Sequence, residues 1–259
     1  MTAQPARPRC SATVITLNEE LNIGECLESL RWADEIIVVD SGSRDRTVEI
    51  ARGFTDKVFT NPWPGHKEQK NFAVDLAANE WIFSLDADER VGPALREQIL
   101  GALGGPKSNG YLIPRNNYFL GRLMRHGGWH PDEVLRLFRK DRGRFGGENP
   151  HDKVVLSEGK PGRLAEPMTH YTYRSFGHFI SKQQPYAEAT ARSRWAKGKR
   201  PAWPVARVAC RPVWKFVEVY LLKLGLLDGV HGLVAAFGHA FRVYMTECVT
   251  WEMTRPPKT

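Results

Sequence analysis

Trp81-Ile82-Phe83-Ser84-Leu85-Asp86-Ala87-Asp88-Glu89 is a nearly continuous apolar run that ends in three carboxylates. A strand buried on both faces reads this way, because none of its positions faces water. Glu35-Ile36-Ile37-Val38-Val39-Asp40 has the same form, again with an acid at its carboxyl end. Shorter β-rich runs lie at 12–16 and 57–60. Helices are predicted between them: over 20–32, where Ile23, Leu27 and Leu30 recur at helical spacing, from a cap near Asp45 to Phe54, and over 68–78. Pro93 suits the first turn of a further helix, and Gly104-Gly105-Pro106 suits its end. Strand–helix alternation of this kind builds βαβ units and a parallel, doubly wound sheet.

After Pro106 the pattern changes. Short strands are predicted at 111–113, 134–138 and 154–156, separated by loops rich in Gly and His, as a mixed β layer that completes the sheet. Helical patterning returns at Phe176. The expected organisation is therefore a first half over 10–105, a second half of the same domain over 106–175, and a helical tail over 176–259.

The chain has 259 residues, 42% apolar and 25% charged, a composition that excludes a fibrous chain and wholesale disorder. Its net charge of +8 is concentrated in one place. Between Glu188 and Glu218 there is no acid, but Arg192, Arg194, Lys197, Lys199, Arg200, Arg207, Arg211 and Lys215 lie there. These bases account for the whole excess. That argues against a nucleic-acid-coating protein and for a local anionic partner. The tail adds Trp195, Trp203, Trp214, Phe216 and Tyr220. Bases with interfacial aromatics fit a surface lying on an anionic leaflet, held there by charge; the alternative is a helical lid with a solvated basic face. The apolar stretch 219–241 is broken by Lys223, Asp228, His231 and His239, so no transmembrane helix is expected. Cys10, Cys26, Cys210 and Cys248 are scattered, which fits a reducing compartment, and residues 1–9 show no signal-peptide pattern.

The carboxyl ends of parallel strands line the ligand crevice of an open α/β sheet. Asp40 belongs there either as a ligand residue or as the cap of the turn Asp40-Ser41-Gly42-Ser43. Asp86, Asp88 and Glu89 make a stronger case, since crowded like charges require a cation. Mg²⁺ or Mn²⁺ is the natural one, held by one or two carboxylates with phosphate oxygens and water in its other positions.

Three motifs, Val14-Ile15-Thr16-Leu17-Asn18-Glu19-Glu20, Val38-Val39-Asp40-Ser41-Gly42-Ser43-Arg44-Asp45-Arg46-Thr47 and Leu85-Asp86-Ala87-Asp88-Glu89, occur in that order. Together they resemble the family 2 inverting glycosyltransferases of the GT-A fold over residues 12–105. The later Val134-Leu135-Arg136-Leu137-Phe138-Arg139 and His151-Asp152-Lys153-Val154 are similar to the subgroup containing lipopolysaccharide inner-core β-glucosyltransferases. In that subgroup the His is usually followed by Glu, so Asp152 keeps the carboxylate but shortens it by a methylene.

The resemblance implies a Rossmann-like nucleotide-binding half, a mixed central sheet and the following roles. Thr16, Asn18, Glu19 and Glu20 would hold base and ribose; Asp40 would accept a hydrogen bond from the base, favouring uridine. Asp88 would be the direct metal ligand and Asp86 would lie nearer the ribose. Lys67, Gln69, Lys70 and Asn71 would offer phosphate or base contacts, or merely open an exposed helix. Asp152 would take the acceptor proton, with Asp132 and Glu148 as substitutes; a solvated turn explains Asp132 equally simply. Among His66, His126, His130, His151 and His170, His170 is the candidate for a third metal or diphosphate contact. Trp129 would be a sugar-stacking wall or a packing residue. The implied protein is a metal-dependent glycosyltransferase with a nucleotide-sugar donor and a glycan or glycolipid acceptor. It would be peripheral on the cytoplasmic face of the inner membrane, with no nucleic-acid partner. The rivals are a polyprenyl-phosphate glycosyltransferase of the same fold and a non-catalytic membrane-surface module.

Overall fold

The computed structural model describes residues 7–147, 152–200 and 202–255. They form two compact units, one of residues 1–116 and 132–170, the other of 117–131 and 171–259. Residues 117–131, grouped above with the second half of the domain, thus belong with the C-terminal helices.

The first unit opens with the predicted alternation: β1 (Cys10–Thr16), α1 (Ile23–Glu28), β2 (Glu35–Asp40), α2 (Thr47–Arg52), β3 (Val58–Thr60), α3 (His66–Leu76) and β4 (Trp81–Asp86). After β5 (Glu89–Arg90) and α4 (Pro93–Gly104), β6 (Gly110–Phe119) runs from the first unit into the second, where it pairs with β7 (Arg122–Leu123). The first unit resumes with β8 (Glu133–Arg139), β9 (Gly143–Gly146), β10 (Lys153–Leu156) and β11 (Gly162–Arg163), and β12 (Met168–Tyr173) runs from it into the second unit after His170. The sheet order is β3-β2-β1-β4-β8-β6-β12-β5. The four strands β3, β2, β1 and β4 are parallel, whereas β8 runs antiparallel to both β4 and β6. This is the GT-A arrangement of a curled, mixed sheet.

Parallel strands need both faces covered, and alternate residues of β2 and β4 supply the two surfaces. Val38, Phe83 and Leu85 join Leu27, Leu95 and Ile99 on one side. Ile37, Val39 and Ile82 join Ala73, Val74, Phe138 and Phe145 on the other. Strand order reverses about β1, whose Thr16 lies beside Asp40 and whose Ile15 lies beside Asp86. Both acids therefore stand at the switch point, where a crevice opens.

Three expectations change. The strand at 154–156 does not join the central layer: β10 pairs with β9 alone, in a separate two-stranded sheet. Only one of its faces is apolar and covered, Val154 packing inward while Val155 is exposed. The first helix is also shorter than 20–32, because residues 19–22 form a turn and Asn22 precedes the first helical residue. The residue that precedes α2 is Arg46, and Asp45, one position earlier, accepts the Thr47 N–H; the helix ends at Arg52, short of Phe54.

The second unit contains α5 (Phe176–Ala196), α6 (Pro204–Val217) and α7 (Gly229–Glu252). Its core includes Phe119, Met124, Phe179 and Ala235. A methyl group on Gly238 would lie 2.0 Å from the Phe179 ring, so only glycine lets α5 and α7 approach this closely. Four of the eight bases have acidic partners within the unit. Arg194, Arg207 and Arg211 all donate to Glu247, and Lys215 donates to Glu218. Glu247 is buried, and a buried carboxylate attracts whatever cations the neighbouring helices carry.

Phe83→Ala removes a ring that is fully buried in the central strand. It is expected to cost about 3–5 kcal/mol, read as a lower urea midpoint. Leu21→Ala, at an exposed site, is expected to stay within about 0.5 kcal/mol of the parent.

Candidate active site

The acids that end β4 are each neutralised by a specific cation. Asp86 accepts from Arg136 at 2.5 Å and pairs with Lys70 at 3.1 Å. Lys70 also pairs with Asp152 at 3.1 Å. Glu89, with no exposed surface, holds Arg136 at 2.8 Å and Arg115 at 3.1 Å, and accepts the Asp86 N–H at 2.9 Å. Arg115 in turn grips Asp132 through two nitrogens. Asp132, Arg115, Glu89, Arg136, Asp86, Lys70 and Asp152 thus form a continuous chain of alternating charge. Burial alone would raise Asp86, but Arg136 and Lys70 hold it well below the usual carboxylate range. Burial likewise opposes the Arg136 charge, and Asp86 and Glu89 more than offset it.

Beside this chain, Asp88 faces His170 with 3.5 Å between Oδ2 and Nε2. Backbone pairing brings them together: His170 on β12 lies opposite Glu89 on β5. Burial pulls the imidazole down, yet the Asp88 carboxylate outweighs it and the net shift is upward from 6.5. Asp88 is correspondingly lowered: burial would raise it, and His170 overcomes that.

Among the described residues no three metal-ligating side chains converge. Two do, and the donor chemistry fits a divalent cation. Carboxylate and neutral imidazole are both ligands, and the five carboxylates Asp86, Asp88, Glu89, Asp132 and Asp152 pair with Lys70, Arg115, Arg136 and His170. An added cation would complete the neutralisation, its remaining positions taking phosphate oxygens and water.

The other expected site residues brace loops. Asp40 is buried and accepts from the Gly42 and Ser43 N–H groups and the Ser43 hydroxyl, the turn-capping alternative. Asn18 and Glu20 link the loop after β1 to the loop after β2: the Asn18 side-chain oxygen Oδ1 accepts the Arg44 N–H and the Glu20 carboxylate accepts the Arg46 N–H. The Glu19 N–H donates to Thr47 in the same seam. Thr16, at the end of β1, keeps a buried hydroxyl with no partner among the described residues. Asn71 does not face the crevice as expected. Its amide donates to the Phe145 carbonyl and accepts the Phe145 N–H, fastening α3 to β9. Gln69 is buried and bonded to Asn61 and Ser41, while Lys67 pairs with Glu68 at the surface.

The histidines do not gather. His126 lies on Asp228, and Trp129 packs against Phe119 in the core of the second unit, so the packing alternative holds for that ring. Glu148 and His151 lie outside the described residues. Arg136 and Arg115 were missed. The signal for Arg136 was its place inside Val134-Leu135-Arg136-Leu137-Phe138, since an arginine enclosed by apolar strand residues must have an acidic partner.

Residues 11–155 match the family described as Glycosyl transferase family 2. The chain belongs to that family. It is a glycosyltransferase of the GT-A fold. It is 31% identical over 253 residues to the lipopolysaccharide core biosynthesis glycosyltransferase LpsC of Rhizobium meliloti (strain 1021), covering 90% of this chain and 91% of that one. It is 30% identical to an uncharacterized glycosyltransferase of Rickettsia bellii (strain RML369-C), covering 92% and 84%. Among solved structures, S. aureus TarS 1-349 in complex with UDP-GlcNAc aligns with a TM-score of 0.50 at 14% identity, over 96% of this chain and 93% of that one. That likeness is one of fold.

The Asp88–His170 pair has a defined pH window. His170, raised from 6.5, contributes stability that is complete below that value and is lost as pH rises through its higher folded value. Asp88, lowered from 3.8, contributes above that value and loses its contribution as pH falls through its lower folded value. In an NMR titration without metal, the His170 ring is expected to titrate above 6.5. Asp88→Asn is expected to bring it down, and an unchanged midpoint would remove Asp88 as the cause.

Proposed function

We propose that this glycosyltransferase moves a sugar from a UDP-linked donor to a lipopolysaccharide-core or related envelope glycan, with inversion at the anomeric carbon and with a divalent metal. The observation that carries the reading is the carboxylate group at the end of β4, where Asp86 is neutralised by Arg136 and Lys70 while Asp88 faces the His170 imidazole. Asp88 and His170 would hold the metal, which when bound offsets the charge on the departing diphosphate. Asp86, kept ionised, would accept from a ribose hydroxyl, and the buried Thr16 hydroxyl lies at the same end of the sheet. Asp152 would take the proton from the acceptor hydroxyl as that oxygen attacks. The relation to LpsC supports the acceptor class, and the shared fold with a UDP-GlcNAc-bound protein supports the donor class.

A second reading has a specific observation in its favour. Lys70 occupies the Asp152 carboxylate that would have to meet the acceptor hydroxyl, and a polyprenyl-phosphate acceptor, already ionised, would need no base. We place either reaction at the cytoplasmic face of the inner membrane, with the enzyme peripheral on an anionic surface and without a nucleic-acid partner. The four free cysteines suit a reducing compartment.

Nucleotide release measured across a panel of nucleotide sugars, with core oligosaccharide as acceptor, tests the reading. UDP release that stops in EDTA and in Asp88→Asn is the expected result; release that survives both would exclude a metal at this site. Asp152→Asn is expected to lower transfer roughly 10²- to 10⁴-fold while donor binding persists. Full transfer by that variant would favour the polyprenyl-phosphate reading.

A further inference from the structure

Helix α6 is amphipathic in the wrong sense for water. Arg207, Arg211 and Lys215 recur every four residues on one face, and Val205, Ala209 and Val213 recur every four residues on the opposite face. A helix on a water-soluble protein turns its apolar row inward. Here the basic row is the one with partners, Arg207 and Arg211 on the buried Glu247 of α7 and Lys215 on Glu218 three residues on. The apolar row faces outward: Val205 is 83% exposed, Val213 64%, and neighbouring Trp214 61%. No residue of α6 is fully buried.

The apolar surface continues past the end of α6. Leu222, Leu227 and Val230 are all more than half exposed, around a sharp change of direction. The arms Pro204–Leu222 and Gly225–Glu252 meet at 71°. Leu224 takes a positive φ at that corner, and Gly232 approaches so closely that a methyl group on it would lie 1.8 Å from the Gly225 oxygen. No single helix among the described residues is long and apolar enough to cross a membrane. Soluble monomers rarely leave apolar surface of this extent in water. Lys199 and Arg200, both exposed, stand just before the exposed Trp203 at the start of α6. Bases and tryptophan beside an apolar face are complementary to the headgroup boundary of an anionic bilayer.

We propose that the second unit inserts the outward face of α6 and the adjoining corner into one leaflet of an anionic bilayer, and that hydrocarbon burial holds it there rather than charge. Glu247 makes this orientation possible by gathering the arginines away from the lipid. The inference rests on the membrane placement above and specifies its mode.

The test is flotation of the full chain with phosphatidylglycerol–phosphatidylcholine vesicles at low and high salt. Wild-type protein is expected to float at both. Val205→Asp/Val213→Asp is expected to weaken partitioning roughly a hundredfold, with an unchanged melting temperature because both side chains already face solvent. Lys199→Gln/Arg200→Gln is expected to weaken flotation at low salt only. Binding that high salt abolishes, or a double-Asp variant that floats as wild type, would overturn the insertion while leaving membrane placement standing. A dimer by light scattering that the double-Asp variant splits, with no flotation of either, would assign the face to a second copy and overturn both. Nucleotide release, measured alongside, reports on the transferase reading independently.

Discussion

Charge neutralisation at the end of β4 is the constraint around which the first unit is arranged. Asp86, Asp88 and Glu89 stand within one turn of a buried strand, where uncompensated carboxylates would repel one another and lose hydration. Each therefore fixes a cation carried by a different element: Lys70 from α3, Arg115 from β6, Arg136 from β8 and His170 from β12. The central antiparallel strands contribute arginines as well as apolar side chains, and the inward position of Arg136 makes sense only through Asp86 and Glu89. Removing one partner from such a buried network is costly, typically about 3–5 kcal/mol, because the other charge is left uncompensated. The same network keeps Asp86 ionised and presents Asp88 at its edge, so fold stability and the readiness of the site have one origin.

The parallel half of the sheet was legible because burial on both faces leaves a plain mark. The runs 35–40 and 81–86 are apolar without alternation, and both became strands with those bounds. The acids at their ends were legible for the same reason, since a charge that stops an apolar run is conspicuous. What the sequence did not reveal was how the polar residues of the loop after β1 and of α3 are used. Asn18, Glu20 and Asn71 have donor and acceptor groups that suit a nucleotide, but those groups suit backbone N–H and C=O equally, and only the chain path decides which they meet. Lys70 stood out as a cation, but not as the bridge from Asp86 to Asp152, which joins positions far apart in the chain.

The tail shows where composition stops being informative. Eight bases without an acid look like a surface for an anionic partner, and composition alone carries no information about which side of a helix faces out. One buried acid more than thirty residues downstream of the arginines bears on the answer: Glu247 pairs with Arg207 and Arg211, while Val205 and Val213 on the opposite face stay exposed. The four-residue spacing of both rows was present in the sequence. Their assignment to inside and outside needed the pairing of α6 with α7.

The central claim is that the carboxylates at the end of β4 bind a divalent metal together with a uridine diphosphate group, Asp88 being the protein carboxylate on the metal. Electron paramagnetic resonance of Mn²⁺ titrated with the protein in the presence of UDP tests this without any acceptor. The account predicts a protein-bound Mn²⁺ signal that requires UDP, is lost in Asp88→Asn, and survives in Asn71→Ala, because the Asn71 amide is bonded to the Phe145 backbone. Equal Mn²⁺ binding by the wild-type protein and by Asp88→Asn would contradict it.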